Sequence, residues 1–182
     1  MGFLDRLRQK ADARLIQQSE ALAISTYQEW TEAEITLRQP TTVGPYTFGT
    51  GFIGPYDAVK IHQEALRTAE QVVARRTRSY GTWFLLDQRR IQGAAFKCLR
   101  ERTGWPFTVL SEVGFRIQEA ADADRKADDW TERRRASEIR RVLEECDTRA
   151  SRGRAQDVIK ELEVAYYKRF PDLRPSSRAT KP

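Results

Sequence analysis

Gly54-Pro55-Tyr56-Asp57-Ala58-Val59-Lys60-Ile61-His62-Gln63-Glu64-Ala65-Leu66-Arg67-Thr68-Ala69-Glu70-Gln71-Val72-Val73 decides the fold class of this chain. Proline is well placed at a first helical position, where it has no needed N–H to lose and its φ is preset. Val59, His62, Leu66, Ala69 and Val73 then recur at spacings of three and four, which lines them up on one apolar stripe.

The same period appears on both sides. Phe3, Leu7, Ala11, Arg14, Leu15, Gln18 and Leu22 share a face, with Leu4 beside them. That helix is expected to reach residue 24, with a continuation through Trp30 to Leu37, before Pro40 stops it. The second helix is expected to end near Tyr80-Gly81. Thr82 is expected to cap a third over residues 83–102, with Phe84, Ile91, Ala95, Cys98 and Leu99 inward and Gly104 as its terminal glycine. Residues 105–110 read as a short extended segment in the core, and Ser111 as the cap of a helix over 112–128. Thr131 starts another, in which Ala136, Ile139, Leu143 and Cys146 repeat in an a/d pattern too short to specify a coiled coil. A last helix over 155–170 turns Ile159, Leu162, Tyr166 and Phe170 inward, and Pro171 ends it.

The fold class is therefore mainly α, a helical bundle of five to six helices. Residues 39–57 interrupt it with glycines and prolines among Tyr46, Phe48 and Phe52, as a contact loop or a short β-hairpin. The expected organisation is an N-terminal amphipathic segment at 1–38, the loop at 39–57, a helical core at 58–170 and a disordered tail at 171–182 rich in Pro, Ser and Arg.

Of the 32 basic residues, 25 are arginine and 7 lysine, against 26 acids, giving a net charge of +6 and a pI near 9.5. Guanidinium is a planar fork suited to phosphate and carboxylate. A GC-rich genome yields the same ratio without a ligand, so clustering is the more informative feature. Residues 75–102 hold Arg75, Arg76, Arg78, Arg89, Arg90, Lys97, Arg100 and Arg102 against Asp87 and Glu101, a surplus equal to the chain's whole net charge. Tyr80, Trp83 and Phe96 are interleaved, and a hairpin about Gly81 would gather Arg75–Arg78 and Arg89–Arg90 at one turn. Arginine beside aromatics suits single-stranded nucleic acid. Residues 132–154 differ. Their eight arginines face five acids, and Arg134–Glu138, Arg140–Glu144 and Arg141–Glu145 stand at i,i+4, as on a salt-bridged solvated helix.

Residues suited to catalysis are sparse. His62 is the one histidine, and its place on an apolar stripe marks it as packed. Asp128-Asp129, Glu144-Glu145 and Asp122-x-Asp124 do not converge, because helix neighbours diverge by about 100°. Gly49-Thr50-Gly51-Phe52-Ile53-Gly54 matches GxGxxG in letters but lacks the strand before it and is followed by Pro55. Cys98 and Cys146 fall on apolar stripes with no CxxC pair, so free thiols are expected, and neither metal nor cofactor. No apolar run approaches the roughly 20 residues that span a bilayer, and Met1–Arg8 lacks a signal-peptide apolar core.

These features lead to a non-enzymatic structural or assembly protein, cytoplasmic or within a particle assembled there, such as a nucleoprotein, viral or phage component. Nucleic acid is expected at the eight basic residues of 75–102. Contact with itself or other subunits is expected through Tyr46, Phe48, Phe52, Phe3, Leu4 and Leu7; the opening helix also suits a membrane surface. The alternative is a protein-interaction adaptor whose arginines pair with acidic subunits.

Overall fold

The computed structural model describes residues 3–43, 45–48 and 51–175, with side chains described from residue 12 onward except at 41–43 and 46–48. Among the described residues the chain forms seven α-helices and one two-stranded hairpin. These are α1 (Phe3–Leu37), β1 (Thr41–Val43), β2 (Tyr46–Phe48), α2 (Pro55–Thr77), α3 (Gly81–Leu85), α4 (Gln88–Thr103), α5 (Phe107–Arg125), α6 (Trp130–Arg149) and α7 (Ala155–Arg169). The helical class is as the periodicity predicts, and the longer version of α1 is the one that forms. The strands pair antiparallel, Thr41 with Phe48 and Val43 with Tyr46, so the 39–57 stretch contains the short hairpin.

Two compact units divide the chain: residues 1–52 with 60–104, and 53–59 with 105–182. Residues 1–38 fall in the first, and the 58–170 stretch is divided between the two.

In the first unit Ala23 and Tyr27 of α1, Ala65, Ala69 and Val73 of α2, Trp83 and Leu86 around α3, and Ile91 and Ala95 of α4 form one buried cluster. The alanines bring helix backbones close, and the larger side chains fill the space between. The inward face of α1 is Glu20, Ala23, Tyr27, Thr31 and Ile35, at steps of three and four. It is not the predicted face, for Arg14 and Gln18 are exposed and Leu15 is 47% exposed. The α2 stripe is as predicted, with Leu66 half-buried and Ile61 and Ala65 added.

In the second unit α5 packs against both α6 and α7. Val109, Leu110, Val113, Ala136, Leu143, Val158 and Leu162 are fully enclosed, each large aliphatic contributing about 1.5–3 kcal/mol of transfer free energy. Trp105 is buried and its ring N–H donates to the Ile53 carbonyl at 2.9 Å. The start of α2 is held here too. The Asp147 carboxylate accepts from the Tyr56 and Asp57 N–H groups at 2.8 and 3.0 Å, which satisfies donors that a helix N-terminus leaves open.

Several predicted boundaries move for identifiable reasons. Residues 107–110 are helical, not extended: Pro106 (ψ 151) is the N-cap, the Leu110 N–H reaches its carbonyl at 3.1 Å, and Ser111 lies inside α5. The predicted 83–102 helix is two helices. Leu86 is extended (ψ 155), and Asp87, not Thr82, caps α4 by accepting from the Arg89 and Arg90 N–H groups. Asp129 does the same for α6, which begins at Trp130, one residue ahead of the predicted start at Thr131. Gly104 ends α4 at φ 75, as predicted. Between α6 and α7 the turn Ala150–Arg154 breaks the helical path at Arg152 and at Gly153, whose φ is 83. The predicted tail at 171–182 begins with a 3-10 turn, Pro171–Leu173, and its residues 176–182 lie outside the described ones.

Candidate nucleic-acid interface

The basic stretch of the first unit is built on how α2 ends. The Ser79 N–H bonds back to the Ala74 carbonyl at 3.1 Å, and Arg78 between them sits at φ 56. This is the left-handed helix-ending geometry in which glycine is the usual residue. Among the described residues Arg78 is the one non-glycine with positive φ. The Thr77 hydroxyl lies 2.9 Å from the Val73 carbonyl and 3.1 Å from that of Ser79, which tightens the same turn.

Helix α3 follows at once. Trp83 and Leu86 are buried and anchor it, and the Gln88 side-chain amide donates to the Trp83 carbonyl at 2.6 Å. A five-residue helix anchored by these and by buried Thr82 turns its aromatic and aliphatic remainder out. Tyr80 is 71% exposed, Phe84 77% and Leu85 68%. Phe84 was predicted to face inward with Ile91 and Ala95. The break at Leu86 and Asp87 separates the phase of α3 from that of α4, and Phe84 points to solvent instead.

The start of α4 is fixed by a residue the sequence reading missed. Glu20 of α1 is buried, accepts the Asp87 N–H at 3.0 Å and binds the Arg90 guanidinium at 3.3 Å. Its seven-residue spacing from Tyr27 was the available signal. Only ten residues separate the end of α2 from the start of α4, and His62 in α2 meets Phe96 in α4 at 4.6 Å between ring centroids. The chain therefore doubles back, and Arg75, Arg76, Arg78, Arg89 and Arg90 stand near one end of the unit.

The eight predicted contact residues divide. Arg75, Arg76, Arg78, Arg89 and Arg100 are exposed, with no ion pair among the described residues. Arg90 is bound by Glu20, Arg102 by Glu32 at 2.9 Å, and Lys97 approaches Glu101 at 3.9 Å. Lys97, Arg100 and Arg102 also lie farther along α4, about 12–20 Å from Arg89 at 1.5 Å per residue. Lys97 and Arg102 line an open cavity of about 870 Å³ whose walls include Glu29, Glu32 and Glu101, so its charge is mixed.

In the second unit acids occupy most of the arginines. Arg141 binds Glu138 at 2.7 Å and lies 3.7 Å from Glu145, Arg149 binds Glu161 at 2.6 Å, and Arg154 binds Asp157 at 3.1 Å. Of the three predicted i,i+4 pairs Arg141–Glu145 is present. Arg140 reaches Asp124 of α5 instead of Glu144, and Arg134 lies over the Trp130 ring at 5.5 Å. A buried carboxylate was also missed. Glu112, 2% exposed, accepts from Arg116 at 2.9 Å and from Arg169 at 3.2 Å, tying α5 to α7.

His62 is packed, as predicted. Its Nδ1 is hydrogen-bonded with the Tyr27 hydroxyl at 2.9 Å, and burial pushes its pKa down to about 4, so at neutral pH the ring is uncharged. Cys98 and Cys146 are free, and burial raises both thiols above their ordinary range. Among the described residues no group of three or more His, Cys, Asp or Glu side chains is placed to hold a metal ion, and no helix is long and apolar enough to cross a membrane. Of the predicted contact residues in the first unit, Phe52 is half-buried. Tyr46 and Phe48 lie in β2, and Phe3, Leu4 and Leu7 in α1, with side chains outside the described ones. Comparison with protein-family models, curated proteins and solved structures finds no match for this chain.

Proposed function

We propose that this is a non-enzymatic structural or assembly protein that holds nucleic acid against the end of its first unit. One observation carries the reading. Arg75, Arg76, Arg78 and Arg89 are exposed without acidic partners among the described residues, beside exposed Tyr80 and Phe84, while most α6 arginines are occupied. Unoccupied guanidinium groups are available to phosphate, whereas paired ones must first give up a carboxylate. Assembly with copies of itself or with other subunits of a cytoplasmic particle rests on the Gly/Pro/aromatic stretch 39–57 and remains part of the same proposal.

Binding of a labelled oligonucleotide, titrated with salt, tests it. Each phosphate contact lowers the log–log salt slope by about 0.7–0.9, so changing Arg75, Arg76, Arg78 and Arg89 together to Gln should remove roughly three units of slope. Equal loss from Arg133–Arg135 changes would relocate the site, and no binding even at low salt sinks the reading. Leu85 favours a second reading, because an exposed aliphatic side chain beside arginines also suits an acidic protein partner. Capture of such a partner with no nucleic-acid binding would support that alternative.

A further inference from the structure

We infer that the nucleic acid held at this end of the first unit is single-stranded, with unpaired bases stacking on Tyr80 and Phe84; this rests on the function proposed above. Stacking had been expected from Tyr80, Trp83 and Phe96. Trp83 lies in the buried cluster and Phe96 packs on His62, so neither offers a free face. Phe84, expected in the core, is instead 77% exposed, and Tyr80 is 71% exposed.

Tyr80 caps α3 with helical φ and ψ, so it and Phe84 stand one turn apart on one face. Side chains at that spacing lie about 5–6 Å apart at Cβ. That leaves no room to clamp a base between the rings, but it gives two adjacent platforms for successive bases. Buried Trp83 and Leu86 hold α3 in place, so the platforms are presented with little ordering left to do.

Charge and aromatic surface are both accounted for by a single strand. Its phosphates can lie along Arg75, Arg76, Arg78 and Arg89 while its bases turn toward the rings. A duplex offers the phosphates but keeps its base faces stacked, and opening a step for a side chain costs several kcal/mol. Arginines without rings would have sufficed for a duplex.

The test compares a labelled oligothymidylate, an oligouridylate and a hairpin duplex by fluorescence anisotropy at one low salt concentration. Tyr80→Ala and Phe84→Ala should each weaken single-strand binding roughly 5- to 150-fold, the range for loss of one base–aromatic stack. Duplex affinity should stay as in the parent. Phe84→Trp should retain binding. Phe84→Leu, which keeps the apolar bulk and loses the ring, should behave as Phe84→Ala. Both rings are exposed, so circular dichroism should show unchanged folding. If Phe84→Leu binds single strands as well as the parent, or if duplex binding falls in parallel, stacking is refuted while the proposed function stands. If neither nucleic acid binds, the proposed function fails and this inference with it.

Discussion

Arg78→Gly should make the protein more stable and its basic surface weaker. Arg78 holds φ 56 at the end of α2, where the Ser79 N–H closes on the Ala74 carbonyl. A residue with a Cβ in the left-handed region costs about 1–2 kcal/mol. Glycine removes that cost but enlarges the unfolded ensemble by about 0.5–1 kcal/mol. The net gain is about 0.5–1 kcal/mol, which in a chain of this length raises Tm by about 1–4 °C. The same change removes one exposed guanidinium, so the salt slope for nucleic-acid binding should fall by about 0.7–0.9. Thermal unfolding by circular dichroism and salt-dependent anisotropy read the two effects separately. Arg78→Asn is the control, because asparagine tolerates the left-handed region yet carries no charge. It should show the same fall in salt slope and keep the stability. A fall in Tm for Arg78→Gly would refute the strained-end reading. An unchanged salt slope would remove Arg78 from the interface.

Three further outcomes follow from other sites. The folded pKa of His62, about 4, lies below its ordinary 6.5, so the unfolded chain takes up the proton first. Stability should be intact above pH 6.5 and fall by about 3 kcal/mol toward pH 4, read as the urea midpoint across pH, and His62→Gln should flatten that window. Glu112→Ala leaves Arg116 and Arg169 without their shared carboxylate and should cost about 3 kcal/mol, the low end for a broken buried pair because both arginines keep some solvent. A cost under about 1 kcal/mol in denaturant titration would show that α5 and α7 do not depend on it. Asp147→Ala should cost about 1–2 kcal/mol as a lost cap. A Cβ on Gly54 would overlap the Asp147 carboxyl, so Gly54→Ala should cost more, and the double variant should cost less than the two singles combined.

What the sequence made legible follows from how local each signal is. Pro55 and the Val59–Val73 stripe announce α2, and Gly104 announces the end of α4. The break between α3 and α4 was hidden because Leu85-Leu86 continues an apolar run, and Asp87 is one acid among many until its carboxylate is seen on two N–H groups. The outward turn of Phe84 depends on which neighbours are anchored, a tertiary matter. Glu20 and Glu112 sit in registers where apolar residues are expected, and partners 70 and 57 positions away stabilise them there. Helix-surface pairing was legible only within a helix: Arg141–Glu145 was readable, while Arg140 took an acid from α5. The surplus of charge over residues 75–102 was visible from composition. Which of its arginines stay unoccupied was not.

The bend at Arg152–Gly153 has a practical consequence. Residues 151–154 are all exposed, and nothing lies within 4 Å of where a Gly153 side chain would begin. Backbone at such an exposed corner tolerates being opened or lengthened. The α6–α7 connection is thus the natural position for an inserted epitope, a fluorescent label or relocated chain ends in the second unit. A reporter placed there would leave the enclosed contacts of α5 with α6 and α7 as they are.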